Sequence, residues 1–316
     1  MGIILVNAKA REGIATDGRN HNENALRIGV CIPKSPAVFW KPVYRGIRDR
    51  AAAYEEAGVP IWLMMRYDPL MPEPGKNDLF TDWLKEKQPK GLILFPKGRA
   101  AFLRDIVSRF NTTLIGVRNA DLFDLCSYVG TDPDVEGRLA AQLMLRRLPN
   151  VQNVAIIRPN YRYYDYTTTG RRWGFCDYLI REKTAIAIQD IFIDFHSKVS
   201  AAMIARSLAA QYAGSTLDCI YSTAEGNVGE VCQGLSKALR ATWPEGQNPF
   251  LHACCIGHEY PKNAQQYIDA GLLAGCLIQD AYQCGYQALE QTVELCLEHK
   301  KTNSWNFIPP TTQWYL

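Results

Sequence analysis

The chain contains 316 residues, of which 47% are hydrophobic and 21% are charged, and its formal net charge is +3. This composition excludes a disordered chain, and the length favours two lobes over a single core. The charge is too small to indicate nucleic-acid binding by bulk electrostatics, and no apolar run approaches the ~20 residues that span a bilayer.

Residues 1–26 are predicted to form an N-terminal linker or extension. They are polar and aperiodic after the first few positions, and the stretch DGRNHNEN has the composition of a loop. Their apolar part, Ile3 to Val6, is shorter than the core of a signal peptide and follows no basic segment. We therefore expect neither a leader nor a helix-turn-helix before the first strand.

From Arg27 onward, short apolar runs alternate with longer amphipathic segments. Runs of this length that are bounded by Gly or Pro are typical of buried parallel strands, and the segments between them have helical periodicity. The predicted strands are RIGVCIP (27–33), PIWLMM (60–65), GLILFP (91–96), TLIGV (113–117), VAIIRP (154–159), IQDIFI (188–193), CIYST (219–223), LHACCIG (251–257) and AGCLIQ (274–279).

These nine predicted strands are too many for one open sheet, so we expect two sheets of about equal size. The alternation of strands and helices predicts an α/β fold with two doubly wound parallel-sheet lobes. The break between the lobes is expected near residues 128–148, where GTDPD has the turn chemistry that ends a strand and starts a helix.

Ligands bind beyond the carboxyl ends of the strands in open parallel sheets, so the residues that follow each predicted strand are candidates for a binding site. They combine aromatic rings, which offer flat faces, with charged and amide groups, which orient a small polar ligand. The candidates from this reasoning are Lys34, Phe39, Trp40, Arg118, Arg171, Glu225, Glu259 and Gln279.

Each candidate also has a structural explanation. Adjacent rings on a helix point in different directions, so we expect at most one of Phe39 and Trp40 to face the core and the other to stack on ligand. Arg171 is alternatively a solvent-exposed arginine, and Glu225 and Glu259 are alternatively carboxylates stabilised at helix N-termini.

The sequence lacks the local motifs of familiar enzymes. No GxGxxG follows a strand, and neither GxxxxGK[ST] nor GxSxG occurs. The ten cysteines include no CxxC pair and do not combine with the five histidines at a zinc-site spacing. We therefore expect a protein that is not an enzyme, binds neither a metal nor a cofactor, and keeps its cysteines reduced, as in a cytosol.

Four stretches, taken together in order and spacing, resemble the type I periplasmic-binding-protein superfamily. They are RIGVCIPKSPAVFWKPVYRGI, YVGTDPDVEGRLAAQLM, RRWGF and GCLIQDAYQCGYQALEQTVELC, and the resemblance covers about residues 27–312. The superfamily includes sugar-binding transport proteins and the effector-binding cores of lactose-repressor-family regulators.

The resemblance implies two lobes that are joined by three hinge crossovers, with a ligand cleft between them. We expect the N-terminal lobe to comprise residues 27–130 and 279–305, and the C-terminal lobe to comprise residues 131–278 and 306–316. By position, Phe39 or Trp40 resembles the ring that stacks on sugar, and Arg171 resembles the arginine that bonds ligand hydroxyls. Three further positions match polar residues of the family near the ligand or the crossover: Asp132, Glu259 and Gln279.

Two positions depart from the pattern of neutral sugar binders. Arg118 stands where many of them have aspartate, and Ala224 and Glu225 stand where they often have asparagine. Arg118, Lys34 and Arg171 together favour an acidic group on the ligand, because guanidinium groups pair bidentately with carboxylate or phosphate. The expected ligand is therefore a sugar or an acidic sugar derivative.

The resemblance implies the ligand-binding core of a regulator, whose lobes close on ligand and so control DNA binding by a headpiece that this chain does not contain. The alternative is the substrate-binding protein of a sugar ABC transporter, which would need a leader for export. We favour the regulator, acting as a cytoplasmic homodimer. A periplasmic location is the alternative if a leader was removed.

Overall fold

The computed structural model describes residues 24–33, 39–66, 79–96, 100–116, 122, 124–159, 166–182, 185–193, 200–212, 214–224, 228–298 and 305–314. The chain forms two compact units: unit 1 comprises Met1–Gly130 and Asp280–Ile308, and unit 2 comprises Thr131–Gln279 and Pro309–Leu316. The chain therefore passes between the units three times.

Strands and helices alternate along most of the described chain. The strands are β1 (Leu26–Cys31), β2 (Ile61–Arg66), β3 (Gly91–Leu94), β4 (Asn111–Ile115), β5 (Ser127–Gly130), β6 (Asn153–Pro159), β7 (Ala187–Ile193), β8 (Cys219–Ser222), β9 (Cys254–His258), β10 (Leu273–Ile278), β11 (Trp305–Phe307) and β12 (Thr311–Trp314). The helices are α1 (Trp40–Glu56), α2 (Leu79–Lys87), α3 (Ala100–Arg109), α4 (Pro133–Arg147), α5 (Tyr166–Glu182), α6 (Ala201–Gln211), α7 (Val228–Leu239), α8 (Ala264–Asp269) and α9 (Ala281–Glu298).

The sheet of unit 1 has the strand order β11-β5-β4-β3-β1-β2, and the pairings among its described residues are parallel. Because successive residues of a strand point to opposite faces, Ile28 and Val30 pack on the α1 and α9 side, whereas Cys31 packs on the α2 and α3 side. The sheet is thus covered by helices on both faces.

The sheet of unit 2 has the order β12-β10-β9-β8-β6-β7, in which β12 pairs antiparallel with β10 and the other described pairings are parallel. Ala155 and Ile157 of β6 pack on the α6 and α7 side, and Val154 and Ile156 pack on the α4 and α5 side. The prediction of an α/β fold with two doubly wound, helix-covered sheets of equal size is confirmed.

Three short strands were missing from the sequence prediction. They are β5, β11 and β12, which contain only three or four residues each. The strand that was predicted to begin at Leu251 begins at Cys254 instead, because Leu251 and His252 lie in an exposed turn. The four-residue strands β3 and β8 were nevertheless predicted, because each lies in an apolar run that is buried throughout.

Closely packed helix pairs cover one face of each sheet. A Cβ atom added to Gly137 of α4 would lie 2.0 Å from the carbonyl oxygen of Arg171 in α5, and one added to Gly46 of α1 would lie 2.1 Å from the carbonyl oxygen of Tyr282 in α9. Only glycine permits this approach of two backbones. The contact at Gly137 places the first turns of α4 directly beside α5.

In the part of the chain that the structure describes, no helix combines the length and the apolar character that crossing a membrane requires.

Candidate functional site

In each sheet, the next two strands of the chain lie on opposite sides of the first parallel strand. The order changes direction between β1 and β3 in unit 1, and between β6 and β8 in unit 2. Ligands of open α/β sheets bind at such a switch point, outside the carboxyl ends of the strands. Polar and aromatic side chains at the carboxyl edge of each sheet are therefore the candidates for a ligand site.

Six of the nine predicted site residues lie within the described part of the chain. Phe39 and Trp40 belong to unit 1, and the other four belong to unit 2: Asp132, Arg171, Glu259 and Gln279. Lys34, Arg118 and Glu225 lie outside the described residues.

Arg171 is the centre of a buried polar network in unit 2, with 1% of its surface exposed. Its Nε donates to Oε2 of Glu136 over 2.7 Å, and its Nη1 donates to the carbonyl oxygen of Thr223 over 2.9 Å. Thr223 follows β8, and both its N–H and its hydroxyl donate to the carbonyl oxygen of Ile157 in β6. The guanidinium is thereby fixed at the switch point of the sheet.

Glu136 was not identified from the sequence. It lies in the first turn of α4, is completely buried, and forms the ion pair with Arg171. A carboxylate in a first turn is ordinarily explained by the helix dipole. Only the contact of α4 with α5 reveals that its partner is an arginine 35 residues away.

His258 and Tyr221 extend this network into the core. The Tyr221 hydroxyl lies 2.9 Å from Nε2 of His258, and Nδ1 of His258 lies 3.8 Å from Oε1 of Glu136. Burial and the nearby Arg171 guanidinium hold the pKa of His258 well below its usual value, while burial raises the pKa of Tyr221. The imidazole is therefore neutral and shares a hydrogen bond with the Tyr221 hydroxyl, and the nearby Glu136 carboxylate favours the tautomer that carries its hydrogen on Nδ1.

Glu259 and Gln279 form a second set of contacts at the ends of β9 and β10. Oε1 of Glu259 accepts from the backbone N–H of Gln279 over 3.0 Å, and Oε1 of Gln279 accepts from the Thr131 hydroxyl over 3.4 Å. Glu259 has a φ of +61°, in the left-handed region that disfavours side chains. Backbone strain of this kind concentrates at functional sites, where the surrounding contacts hold it in place.

Asp132 has a structural role at the same edge. It is the N-cap of α4, and its Oδ1 accepts from the backbone N–H of Asp134 over 3.0 Å. Pro133 occupies the first helical position, so α4 begins where the GTDPD stretch predicted. The cap fixes the start of the helix that carries Glu136.

Phe39 and Trp40 of unit 1 are both buried, with 5% and 8% of their surfaces exposed. The Trp40 ring packs edge-to-face against Phe39 and Phe95, with both centroid distances 5.0 Å. The expectation that at most one of the two rings would be buried is therefore wrong. The two rings lie at the very start of α1, where Phe95 and Gly116 from the ends of β3 and β4 enclose Trp40.

Arg66 is a further buried cation at the carboxyl edge of unit 1 that the sequence analysis did not single out. It ends β2, is 8% exposed, and its guanidinium lies 5.5 Å from the Phe80 ring and 5.8 Å from the Trp83 ring. It lies beside Cys31 and acts to lower the pKa of the Cys31 thiol. Burial has the larger effect and raises that pKa to about 12. Its position at the end of a buried strand was the available signal.

The polar groups at the edge of unit 2 are arranged for hydrogen bonding. Arg171 provides N–H donors, whereas Glu136, Glu259 and Asp132 provide carboxylate acceptors. His258 is fully buried, and its ring is hydrogen-bonded to Tyr221. These two features favour a structural role for His258 over proton transfer to a ligand. Fixed donors and acceptors of this kind orient a small polar molecule.

The comparisons with known proteins agree with the fold. The sequence profile of the periplasmic binding protein domain family matches residues 28–301. A protein assigned as a LacI transcriptional regulator from Bacteroides fragilis has a TM-score of 0.72 at 15% identity, with 92% of this chain and 97% of that chain covered.

Two sugar-binding proteins have similar structures. GanP, a glucose-galactose binding protein from Geobacillus stearothermophilus, has a TM-score of 0.69 at 19% identity, covering 92% of this chain and 97% of that chain. A solute binding protein from Burkholderia graminis, in complex with D-arabinose, has a TM-score of 0.69 at 13% identity, covering 93% and 96%. At these identities the likeness establishes the fold. No curated protein sequence matches the chain.

Proposed function

The chain belongs to the family of periplasmic binding protein domains, and from that premise we propose that it binds a small sugar reversibly and releases it unaltered. The observation that carries this proposal is the network at the carboxyl edge of unit 2, in which Glu136 and Thr223 hold the guanidinium of Arg171. Hydroxyl-rich ligands are oriented by such fixed donors and acceptors.

The proposed ligand contacts come from both units. Arg171 donates to ligand hydroxyls, Glu259 and Gln279 orient them, and the ring of Phe39 or Trp40 stacks on the sugar. The remaining proposed contacts are Lys34, Arg118, Asp132 and Glu225. GanP and the Burkholderia graminis protein, which bind neutral sugars with the same fold, support a sugar as the ligand class.

Binding is proposed to shift the population between an open and a closed arrangement of the units. The chain passes from one unit to the other after Gly130, Gln279 and Ile308, and such crossovers act as hinges. A ligand that contacts both units favours the arrangement in which all its contacts form. Differential contacts of roughly 3–5 kcal/mol suffice for this shift, which two or three charge-assisted hydrogen bonds and one stacked ring supply.

We further propose that this is the effector-binding core of a lactose-repressor-family regulator, with DNA bound by a headpiece outside this chain. The likeness to the Bacteroides fragilis protein supports this class. The ten cysteines support a cytoplasmic location, because nine of them are buried and Cys219 and Cys254 are register neighbours on β8 and β9. An oxidising compartment would promote disulfide formation among them during folding, whereas a reducing cytosol would not.

The second candidate is the substrate-binding protein of a sugar ABC transporter, located in the periplasm. It is supported by the likeness to the solute binding proteins. The two candidates differ in assembly, since repressor cores pair and we expect a homodimer for a regulator, whereas a transport protein is expected to be a monomer.

Sedimentation equilibrium of the purified chain separates these two candidates. The regulator is expected to sediment as a dimer of 35.6 kDa protomers at micromolar concentration. A monomer that persists up to the highest soluble concentration would favour the transporter. The coding sequence upstream of Met1 provides an independent check, because an in-frame helix-turn-helix accompanies a regulator and a hydrophobic leader accompanies a transporter.

A thermal-shift screen against sugars, sugar acids and sugar phosphates tests the ligand class. A ligand present at about 100 times its Kd stabilises the folded chain by ~2.7 kcal/mol, which corresponds to a rise in Tm of about 4 °C for a chain of this length. At least one sugar is expected to reach this shift. A screen in which none of these compounds raises Tm would contradict the proposal.

A further inference from the structure

Two neighbouring arginines of α5 are paired in different surroundings. Arg171 and its partner Glu136 are 1% and 0% exposed, so their ion pair is shielded from water. Arg172 and its partner Asp190 in β7 are 28% and 20% exposed. Charges in a low-dielectric interior act on their surroundings far more strongly than charges near water. Each charge of the Glu136–Arg171 pair is therefore screened less by water than the charges of the Arg172–Asp190 pair.

The carboxylate of Glu136 cancels the formal charge of Arg171. A ligand near this pair meets N–H donors that carry no net positive charge, so an anionic group gains little over a hydroxyl. The neighbouring groups add to this effect: Glu259 and Asp132 carry negative charge at the same edge, and His258 is neutral. The positive charge of Arg171 is thus offset by its buried partner.

We propose that Glu136 determines the charge class of the ligand, so that the chain accepts neutral sugars because the Glu136 carboxylate neutralises Arg171. This inference rests on the proposed function, since it assumes that a sugar binds at the carboxyl edge of unit 2. Glu136 acts through Arg171 and needs no contact with the ligand itself. It is therefore a positioning and specificity residue.

The isosteric substitution Glu136→Gln tests this inference. Gln keeps the size and a hydrogen-bond acceptor for Arg171 Nε but removes the negative charge. We expect the ratio of the affinity for a sugar acid to the affinity for its parent neutral sugar to rise at least tenfold, since one unit charge acting over a few ångströms at an intermediate dielectric is worth more than that.

Isothermal titration calorimetry measures this ratio. The probes are the neutral aldopentoses and aldohexoses, each paired with its own uronic or aldonic acid, at two NaCl concentrations. In the Glu136→Gln variant, acid binding is expected to weaken with salt while neutral binding does not. If Glu136 had only a structural role, the substitution would lower the affinities for the sugar acid and for the neutral sugar equally and leave their ratio unchanged.

The matched control is Asp190→Asn, which removes the carboxylate that the adjacent Arg172 shares with Arg158. Because that pair is accessible to water, the acid-to-neutral ratio is expected to stay within about twofold of the wild-type ratio. An equal rise of the ratio in both variants would overturn the inference, because the effect would then be one of total charge.

The uncompensated Arg171 cation can prevent folding of the Glu136→Gln variant. The wild-type chain and the double variant Glu136→Gln/Arg171→Gln, which buries no unpaired charge, then decide the question. Both are expected to bind the neutral sugar at least tenfold more tightly than its acid. A wild-type chain that binds the acid as tightly as the neutral sugar overturns the inference, whereas a wild-type chain that binds neither overturns the proposed function itself.

Discussion

His258 is completely buried among side chains from three other elements: Tyr221 of β8, Glu136 of α4 and Arg171 of α5. Its Nε2 is hydrogen-bonded to the hydroxyl of Tyr221, and the Glu136 carboxylate near Nδ1 favours the tautomer that carries its hydrogen there. Protonation of the ring would place a second cation beside Arg171 in a water-excluded interior. The neutral form is therefore required for the native network, which couples the stability of unit 2 to pH.

The sign of this coupling follows from the lowered pKa of His258. Below pH ~6.5 the unfolded chain binds a proton at this position, whereas the folded chain does not, so stability is lost as pH falls through that value. The free energy of unfolding is expected to decrease by ~1.4 kcal/mol per pH unit below pH ~6.5 from this residue alone.

Urea denaturation at pH 7.5, 6.5 and 5.5 measures this dependence as a difference between the wild-type chain and the His258→Gln variant. The variant is expected to be less stable at pH 7.5 but to lose less stability on acidification. The control is His252→Gln, because His252 is exposed in a turn, and it should retain the wild-type pH profile. Parallel profiles for wild type and His258→Gln would contradict this account.

The site residues differ in how far the sequence could predict them. Arg171, Glu259 and Gln279 were identified from their positions after strands and from a family resemblance, and their contact with a ligand remains a prediction. Glu136 could not be recognised, because its partner lies in another helix. Local sequence patterns do not reveal which faces of two helices pack together. The burial of both Phe39 and Trp40 was missed for the same reason, since strands β3 and β4 enclose the start of α1.

At the scale of elements, the paired helices depend on glycine. Gly137 of α4 and Gly174 of α5 each approach the backbone of the other helix, with a notional Cβ at 2.0 Å from the carbonyl oxygens of Arg171 and Asp134, respectively. Gly46 of α1 and Gly285 of α9 do the same in unit 1. A side chain at any of these positions would push two helices apart. In unit 2 that displacement would separate Glu136 from Arg171.

The Gly137→Ala substitution tests this packing. Alanine increases helix propensity by up to ~1 kcal/mol, but the clash with the Arg171 carbonyl is expected to outweigh this gain and lower the free energy of unfolding by ~1–3 kcal/mol. The affinity for the sugar should fall as well, because α5 shifts. Chemical denaturation and calorimetry measure the two effects.

The control is Gly229→Ala in α7. Its added Cβ would lie 3.2 Å from the Pro261 side chain, so the substitution is expected to change the free energy of unfolding much less than Gly137→Ala does. Equal effects of the two substitutions would show that helix propensity, and not the approach of α4 to α5, determines the stability of unit 2.

The fold was predictable because its signals are long and repeated. Apolar runs such as Ile28 to Cys31 and Cys219 to Ser222 are buried along their length, and the segments between strands have helical periodicity. Such runs could not predict that β11 joins the sheet of unit 1 and that β12 joins the sheet of unit 2. These strands are short, and their partners, β5 and β10, precede them by long stretches of chain.

At the scale of the whole molecule, the two units repeat one plan. Each has a six-stranded sheet with a switch point beside its first parallel strand and a glycine-dependent helix pair on one face. The carboxyl edge of unit 1 carries the Phe39 and Trp40 rings and Arg66, whereas the edge of unit 2 carries the fixed hydrogen-bonding groups around Arg171. The proposed function predicts that one sugar binds per chain.

Calorimetric titration of the intact chain with neutral sugars, followed by recovery of the bound compound and its identification by NMR, tests this central claim most directly. The account predicts saturable binding of one sugar molecule per chain and recovery of the same sugar after release. Failure of every sugar to bind at millimolar concentration, or recovery of a chemically altered compound, would contradict it.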